Sequence, residues 1–184
     1  MRTKVVVWSL IATASLVLVA VIGVPRIATQ LAPLVPYALE RNMLFFGAFT
    51  GANILRRDPP DRYVINYRAS YAEETATVVK YLVRVKRIRP GQIAVFAQQD
   101  AFGDAGFGAV QKAMRGLRTD GAPVLRVGYV RNTIDVAEAV QKVVDNPISI
   151  KAVVMVGTYR ACAKFIEKIR DLNPRMILTN VSFV

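Results

Sequence analysis

The sequence predicts an α/β protein with a doubly wound parallel sheet, preceded by an apolar N-terminal helix. Two continuous apolar runs of strand length, Ile93–Ala97 and Ala152–Val156, are typical of parallel strands that are covered on both faces. Each run is followed by turn residues and then by apolar residues at helical spacing. Because strands that alternate with helices need right-handed crossovers, the pattern favours a parallel sheet.

The first 24 residues form a segment of their own. Arg2 and Lys4 precede the uncharged run Val5–Val24. A positive start before an apolar core predicts a secretory leader, and the run is also just long enough to span a bilayer. We therefore expect residues 1–24 to export the chain to the periplasm or another extracytoplasmic space, either as a cleaved signal peptide or as a retained anchor.

The next part of the chain, up to residue 92, has a less regular pattern. The segment Ile27–Glu40 predicts a helix that Pro33 and Pro36 shorten or kink. A loop of small residues, Gly47–Ala52, separates two short predicted strands. The remaining predictions are the strands Met43–Phe46 and Tyr63–Tyr67, and a helix over Ala72–Val85 with Val78, Val79, Leu82 and Val85 facing inward.

From residue 92 to 180 a strand–turn–helix unit repeats three times. The first unit is the strand Ile93–Ala97, the polar turn Gln98–Asp104 and a helix that Asp104 is predicted to cap. Open α/β sheets bind ligands at such turns, at the carboxyl ends of their strands. The inward positions of this helix are Phe107, Val110, Met114 and Leu117.

The second and third units follow the same pattern. The strand Val124–Val130 precedes a helix that Asn132 or Thr133 can cap, and Met176–Thr179 begins a last strand after the third unit. Predicted inward positions are Ile134, Ala137, Val140 and Val144 in the second helix, and Cys162, Phe165, Ile166 and Ile169 in the third.

The composition argues against enzymatic chemistry. The chain has no histidine and one cysteine, so Ser-His-Asp and Cys-His catalysis, histidine-ligated metals and a structural zinc site are excluded. Cys162 lies on an apolar helix face, which predicts a buried thiol. Asp100 and Asp104 are interpreted as one capping and one exposed acid rather than a catalytic pair. We expect neither an enzyme nor a cofactor.

The formal charge of +12 raises the alternative of a nucleic-acid partner. The excess is spread along the chain, and no RNP-type aromatic pattern or helix-turn-helix signal accompanies it. The spacing Gly103–Gly108 is the reverse of the dinucleotide fingerprint, and Asp104 would oppose a pyrophosphate. We therefore expect a solvated basic face without nucleic acid or nucleotide. The densest basic group is Lys80, Arg84, Lys86, Arg87 and Arg89.

Several motifs occur together in one order. They are Phe46–Ala52, Tyr63–Tyr71, Asp100-Ala101-Phe102-Gly103, Arg131-Asn132-Thr133, Val156–Tyr159 and Ser182-Phe183-Val184. In that order and spacing they resemble the extracytoplasmic solute-binding proteins of branched-chain amino-acid ABC transporters. The resemblance covers roughly residues 23–184.

The resemblance implies a partial two-lobed type I periplasmic-binding fold, with residues 25–67 in lobe 1 and 68–184 in lobe 2. It implies that the chain is the substrate-binding component, or a fragment of one, of an ABC importer for branched-chain amino acids or related small amides. The implied partners are the amino-acid or amide ligand and an ABC permease in the membrane. The ligand-binding residues it implies are Phe49, Thr50, Gly51, Ser70, Tyr71, Phe102 and Tyr159.

Such proteins are about twice this length, and the sequence is interpreted as truncated at both ends. A cleft needs both walls, so we expect weak or absent amino-acid binding by the isolated chain. Two alternatives stay open: a membrane-anchored ligand-sensing domain of a receptor or regulator, and a truncated remnant without transport function. The aromatic residues of the implied site could also be ordinary loop residues that pack between the lobes.

Overall fold

A computed structural model describes residues 27–48, 50–117 and 123–182, and of residues 27–32 it describes the backbone. The predicted leader and Phe49 lie outside these ranges. The elements, in chain order, are α1 (Ile27–Glu40), β1 (Phe45–Phe46), a 3-10 turn (Asn53–Leu55), β2 (Val64–Ile65), α2 (Tyr71–Lys80) continued by a π-helix (Tyr81–Val85), a 3-10 turn (Pro90–Gln92), β3 (Ile93–Gln98), α3 (Ala101–Arg115), β4 (Leu125–Tyr129), α4 (Ala137–Val144), β5 (Ala152–Val156), α5 (Tyr159–Leu172) and β6 (Ile177–Asn180).

The main sheet has four parallel strands in the order β4-β3-β5-β6. The two central strands pair from Ile93 with Ala152 to Ala97 with Val156, and every residue of both is buried. This burial on both faces explains why the two strands are continuous apolar runs. The predicted parallel sheet over residues 92–180 is confirmed.

Helices cover both faces of this sheet. Ala94 and Phe96 point into a core shared with α4 and α5, whereas Ile93, Val95 and Ala97 point into a second core shared with α2 and α3. The side chains of a strand alternate between its two faces, so one short run contributes to both cores. The predicted doubly wound arrangement is thereby confirmed.

A smaller sheet lies before α2. Strands β1 and β2 pair in parallel, with Phe45 opposite Val64 and Phe46 opposite Ile65. Val35 of α1 is fully buried in a small core with Leu55, Phe45 and Val64. The predicted helix Ile27–Glu40 is confirmed with the same bounds, and the two prolines do not shorten it, since it runs for 14 residues through both. Each proline removes one backbone hydrogen bond, and the buried face of the helix offsets that loss.

The buried faces of two helices differ from the prediction. Val85 is 64% exposed, because the wider turns of the π-helix after Lys80 rotate it away from the core. Helix α4 begins only at Ala137, so Ile134 (47% exposed) precedes it, and Val144 faces solvent. Its buried face consists of Ala139, Val140 and Val143.

The predicted caps of α3 and α4 are also wrong. Asp100, not Asp104, caps α3, because its Oδ1 accepts from the N–H groups of Phe102 (3.0 Å) and Gly103 (3.2 Å). Asp104 lies in the first turn and pairs with Arg126 at 2.5 Å. Thr133 does not cap α4, since its hydroxyl donates to the Val130 carbonyl and closes a turn after β4.

Candidate functional site

The candidate site lies at the carboxyl edge of the main sheet, where β3 leads into α3 and β5 leads into α5. The start of α2 and the loop around Thr50 meet this edge through Tyr71, whose ring lies 5.1 Å from that of Phe102 in an edge-on arrangement. Parallel sheets with helices on both faces bind ligands at this edge.

Five of the predicted site residues lie together, and we call them the Tyr71 cluster: Thr50, Gly51, Ser70, Tyr71 and Phe102. The Tyr71 hydroxyl hydrogen-bonds to Thr50 Oγ1 at 3.1 Å, and both side chains are buried. The Tyr71 N–H donates to the Gly51 carbonyl at 3.1 Å. Tyr71 therefore connects the loop before β2 to the edge of the main sheet.

Glycine is required at position 51 by close packing. A Cβ atom there would lie 2.7 Å from both the backbone nitrogen and Cδ1 of Tyr71. Neither atom is the far end of a flexible side chain, so a methyl group would displace the start of α2. The loop and the helix can approach this closely only without a side chain at Gly51.

Ser70 starts α2 through a capping box with Glu73. The Ser70 hydroxyl accepts from the Glu73 N–H (3.1 Å), and the Glu73 carboxylate accepts from the Ser70 N–H (2.7 Å) and hydroxyl (2.7 Å). These bonds hold the pKa of Glu73 below its usual value. A hydroxyl has one donor and two lone pairs, so one lone pair of Ser70 remains for a ligand.

A second polar group at this edge is centred on Tyr129, and sequence reasoning missed it. The Tyr129 hydroxyl donates to Gln98 Oε1 at 2.8 Å and accepts from the Thr158 N–H at 2.8 Å. Gln98 Nε2 in turn donates to Asp100 at 2.5 Å, and Arg131 lies 3.9 Å from the same carboxylate. Burial raises the pKa of Tyr129.

This network joins the ends of three strands. It connects the cap of α3 to the loop that begins α5, which is the loop that carries Tyr159. The available signal was the position of Gln98 and Tyr129, each of which places a polar group at the carboxyl end of a predicted strand. The sequence alone did not show that the two strands are neighbours.

Tyr159 is the first residue of α5, and its side chain is 59% exposed at the end of β5. Phe102 is half-buried at the end of the neighbouring strand. The two aromatic residues therefore lie at the same edge of the sheet. Phe49, the remaining predicted site residue, is outside the described part of the chain.

A third polar group connects α2 to the segment after β6. Glu74 accepts from the Ser182 hydroxyl (2.7 Å) and backbone N–H (2.9 Å), and Arg68 donates to both residues. Arg56 donates to the Arg68 carbonyl at 2.6 Å and to the Ala52 carbonyl at 3.1 Å. These bonds fix the segments that run between the small and the main sheet.

The described residues also bear on metal binding and on thiol chemistry. They contain no group of three His, Cys, Asp or Glu side chains that could hold a metal ion. Burial raises the pKa of the Cys162 thiol to about 12, so the thiol stays protonated near neutral pH. The prediction of a buried thiol is confirmed. Within the same residues, no helix combines the length and the hydrophobicity that a membrane crossing needs.

The sequence and the fold of this chain were compared with known families and solved structures. The family model described as periplasmic binding protein matches residues 11–181. A solved structure of a possible leucine/isoleucine/valine-binding protein from Rhodopirellula baltica is similar, with 40% identity and a TM-score of 0.73. The match covers 88% of this chain and 42% of that one, so the chain spans less than half the length of this relative. No curated protein gives a significant match.

Two more distant structures share the fold. A substrate-binding periplasmic protein from Ralstonia solanacearum has 23% identity and a TM-score of 0.70, covering 89% of this chain and 43% of that one. A branched-chain amino acid ABC transporter protein from Thermus thermophilus, solved with bound valine, has 18% identity and a TM-score of 0.64. The second match covers 81% of this chain and 37% of that one.

Proposed function

This chain belongs to the periplasmic binding protein family, and from that premise we propose that it contributes to solute binding for an ABC importer of branched-chain amino acids. The resemblance inferred from the sequence is confirmed at the level of the family. The family has a solute-binding fold, so the prediction that the chain is not an enzyme is confirmed as well. One observation supports the ligand class: aromatic rings and buried hydroxyls lie together at the carboxyl edge of the sheet.

The proposed ligand is an α-amino acid with an apolar side chain. Its ammonium group would donate to the remaining lone pair of the Ser70 hydroxyl. Thr50 Oγ1, which accepts from the Ala52 N–H, offers a second lone pair when its own hydroxyl is the donor to Tyr71. The rings of Phe102 and Tyr159 would cover the side chain of the ligand. Pockets for small ligands typically combine such apolar walls with a few placed polar groups.

The carboxylate of the ligand has a favourable position at the start of α5. The N–H groups of a first helical turn attract anions, and α5 has no side-chain cap. At α3 the same position is already taken by the Asp100 carboxylate. This difference favours the end of β5 for the carboxylate and the end of β3 for the apolar side chain.

The proposed compartment and partner follow from the family. We expect the chain to act outside the cytoplasm and to deliver its ligand to an ABC permease, with the Val5–Val24 run directing export. A reporter that is active only in the periplasm, fused after Val184, tests the export. A fusion that accumulates at full length but shows no reporter activity would exclude the proposed compartment.

Leucine binding is tested by an NMR titration of the 15N-labelled 184-residue chain, which detects weak binding. We expect shifts confined to the amides of residues 50–52, 70–71, 102 and 158–159. The variant Tyr159→Ala should weaken the affinity for leucine several-fold. The control Tyr37→Ala, which truncates another exposed tyrosine, on α1, should leave the affinity unchanged. Shifts distributed over other residues, or equal effects of both variants, would contradict the proposed site.

A further inference from the structure

A depression lies at the opposite edge of the main sheet, where β5 and β6 begin. Its volume is about 310 Å³, near the lower end of the range for small-ligand pockets. We call it the basic pocket, because Lys86, Lys151 and Arg175 line it together with Ser149 and Asn173. Its floor is apolar and is formed by Ile88, Ile150 and Met176, which are all buried.

The three cations come from distant parts of the chain and are brought together by the sheet. Lys151 immediately precedes β5, and its N–H donates to the Gln92 carbonyl just before β3. The Lys151 carbonyl accepts from Ile177 at the start of β6, two residues after Arg175. The basic pocket therefore lies at the amino ends of the strands, away from the Tyr71 cluster at their carboxyl ends.

Within the described residues no carboxylate offsets the charge of the basic pocket, and Lys86 Nζ lies 5.6 Å from the centroid of the Tyr81 ring. No Asp or Glu is among its lining residues, and no ion pair is formed by any of its three cations. Three basic residues elsewhere around the same sheet do pair with carboxylates: Arg126 with Asp104, Lys142 with Glu138 and Lys164 with Glu167. A concave surface lined by charges of one sign concentrates counter-ions.

We propose that the basic pocket binds a phosphate group that carries a small organic body. Arg175 can bind phosphate oxygens with two parallel N–H groups, and the lysines supply point charges. The Ser149 hydroxyl and the Asn173 amide add neutral donors. The apolar floor at Ile88, together with a volume of about 310 Å³, leaves space for the carbon atoms of a phosphate ester.

The same chemistry has two possible sources, a free phosphate ester and the headgroup of an anionic phospholipid. Two assays of the full 184-residue chain separate them: calorimetry with glycerol 3-phosphate, and co-sedimentation with vesicles of phosphatidylglycerol in phosphatidylcholine. The pocket variant is Lys151→Gln with Arg175→Gln. The control variant is Lys112→Gln with Arg115→Gln, which removes the same two charges from exposed positions on α3.

We expect the pocket variant to bind glycerol 3-phosphate at least tenfold more weakly than the control variant, since each lost charge-assisted hydrogen bond typically costs about a factor of ten. If vesicle binding falls in the pocket variant alone, the source is the lipid headgroup; if it is equal in both variants, the source is the free ester. Because the pocket and control variants both contain the apolar N-terminal run, its contribution to vesicle binding is the same in both. The proposal is overturned if the two variants behave alike in both assays.

Discussion

The substitution Gly51→Ala tests whether close packing against Tyr71 holds the two parts of the fold together. The added methyl group would lie 2.7 Å from the Tyr71 backbone nitrogen and from its ring. Overpacking of this kind typically lowers the free energy of unfolding by about 1–3 kcal/mol. The smaller entropy of the unfolded chain with alanine raises it by about 0.4–1 kcal/mol. We therefore expect a net loss of about 1–2 kcal/mol in the free energy of unfolding.

The matched control is Gly108→Ala within α3. Apart from the adjacent backbone of its own helix, nothing lies within 4 Å of the Cβ position at Gly108, so the same substitution meets open space. Alanine is favoured over glycine inside a helix by about 0.5–1 kcal/mol, so this variant should gain stability. The two variants should differ by about 2 kcal/mol, although they carry the same chemical change.

Thermal unfolding followed by circular dichroism measures the difference. For a chain of this length, about 2 kcal/mol corresponds to a separation of roughly 4–8 °C in Tm. Gly51→Ala should melt below the wild type and Gly108→Ala above it. Stabilisation by Gly51→Ala, or equal shifts in both variants, would refute the packing argument.

Three further predictions concern single side chains. Tyr129→Phe keeps the ring but removes the hydroxyl that donates to buried Gln98 Oε1. The free energy of unfolding, measured by urea titration, should therefore fall by about 1–3 kcal/mol. An unchanged urea midpoint of unfolding would contradict the hydrogen-bond network. Ser70→Ala should cost about 1 kcal/mol by loss of the helix cap, and Ser70→Thr, which keeps the hydroxyl, should restore most of it. Burial raises the pKa of Cys162 from 9.0 to about 12, so its contribution to stability is complete below pH 9 and is lost between pH 9 and 12, by about 1.4 kcal/mol per pH unit. Unfolding of Cys162→Ala should lack that part of the alkaline slope, and an identical slope in both proteins would contradict it.

Much of the main sheet could be predicted from the sequence, because its central strands are buried on both faces and must be apolar throughout. The run Ile93–Ala97 follows from that requirement, and the inward residues of α3 and α5 follow from apolar residues at helical spacing. Where a helix is only partly covered, the pattern was ambiguous. Val85 and Ile134 are apolar but exposed, because a π-helix and a late start of α4 changed which face meets the core.

The candidate site, too, was only partly predictable from the sequence. The polar turn after β3 and the motifs around Thr50, Ser70 and Tyr71 could be recognised in the sequence, since turn and capping chemistry is local. The α3 cap depends on where the helix begins: Asp100 immediately precedes Ala101 and accepts from the first turn, whereas Asp104 lies within that turn and pairs with Arg126.

The sequence by itself determined the fold class and the parallel direction of the central strands, because these follow from apolar periodicity along the chain. Only the tertiary structure decided which distant side chains meet. The Tyr129 hydroxyl reaches Gln98 and Thr158 across three strands, and the basic pocket gathers Lys86, Lys151 and Arg175 from three segments. Such contacts depend on the order of strands in the sheet, which no local pattern of residues encodes.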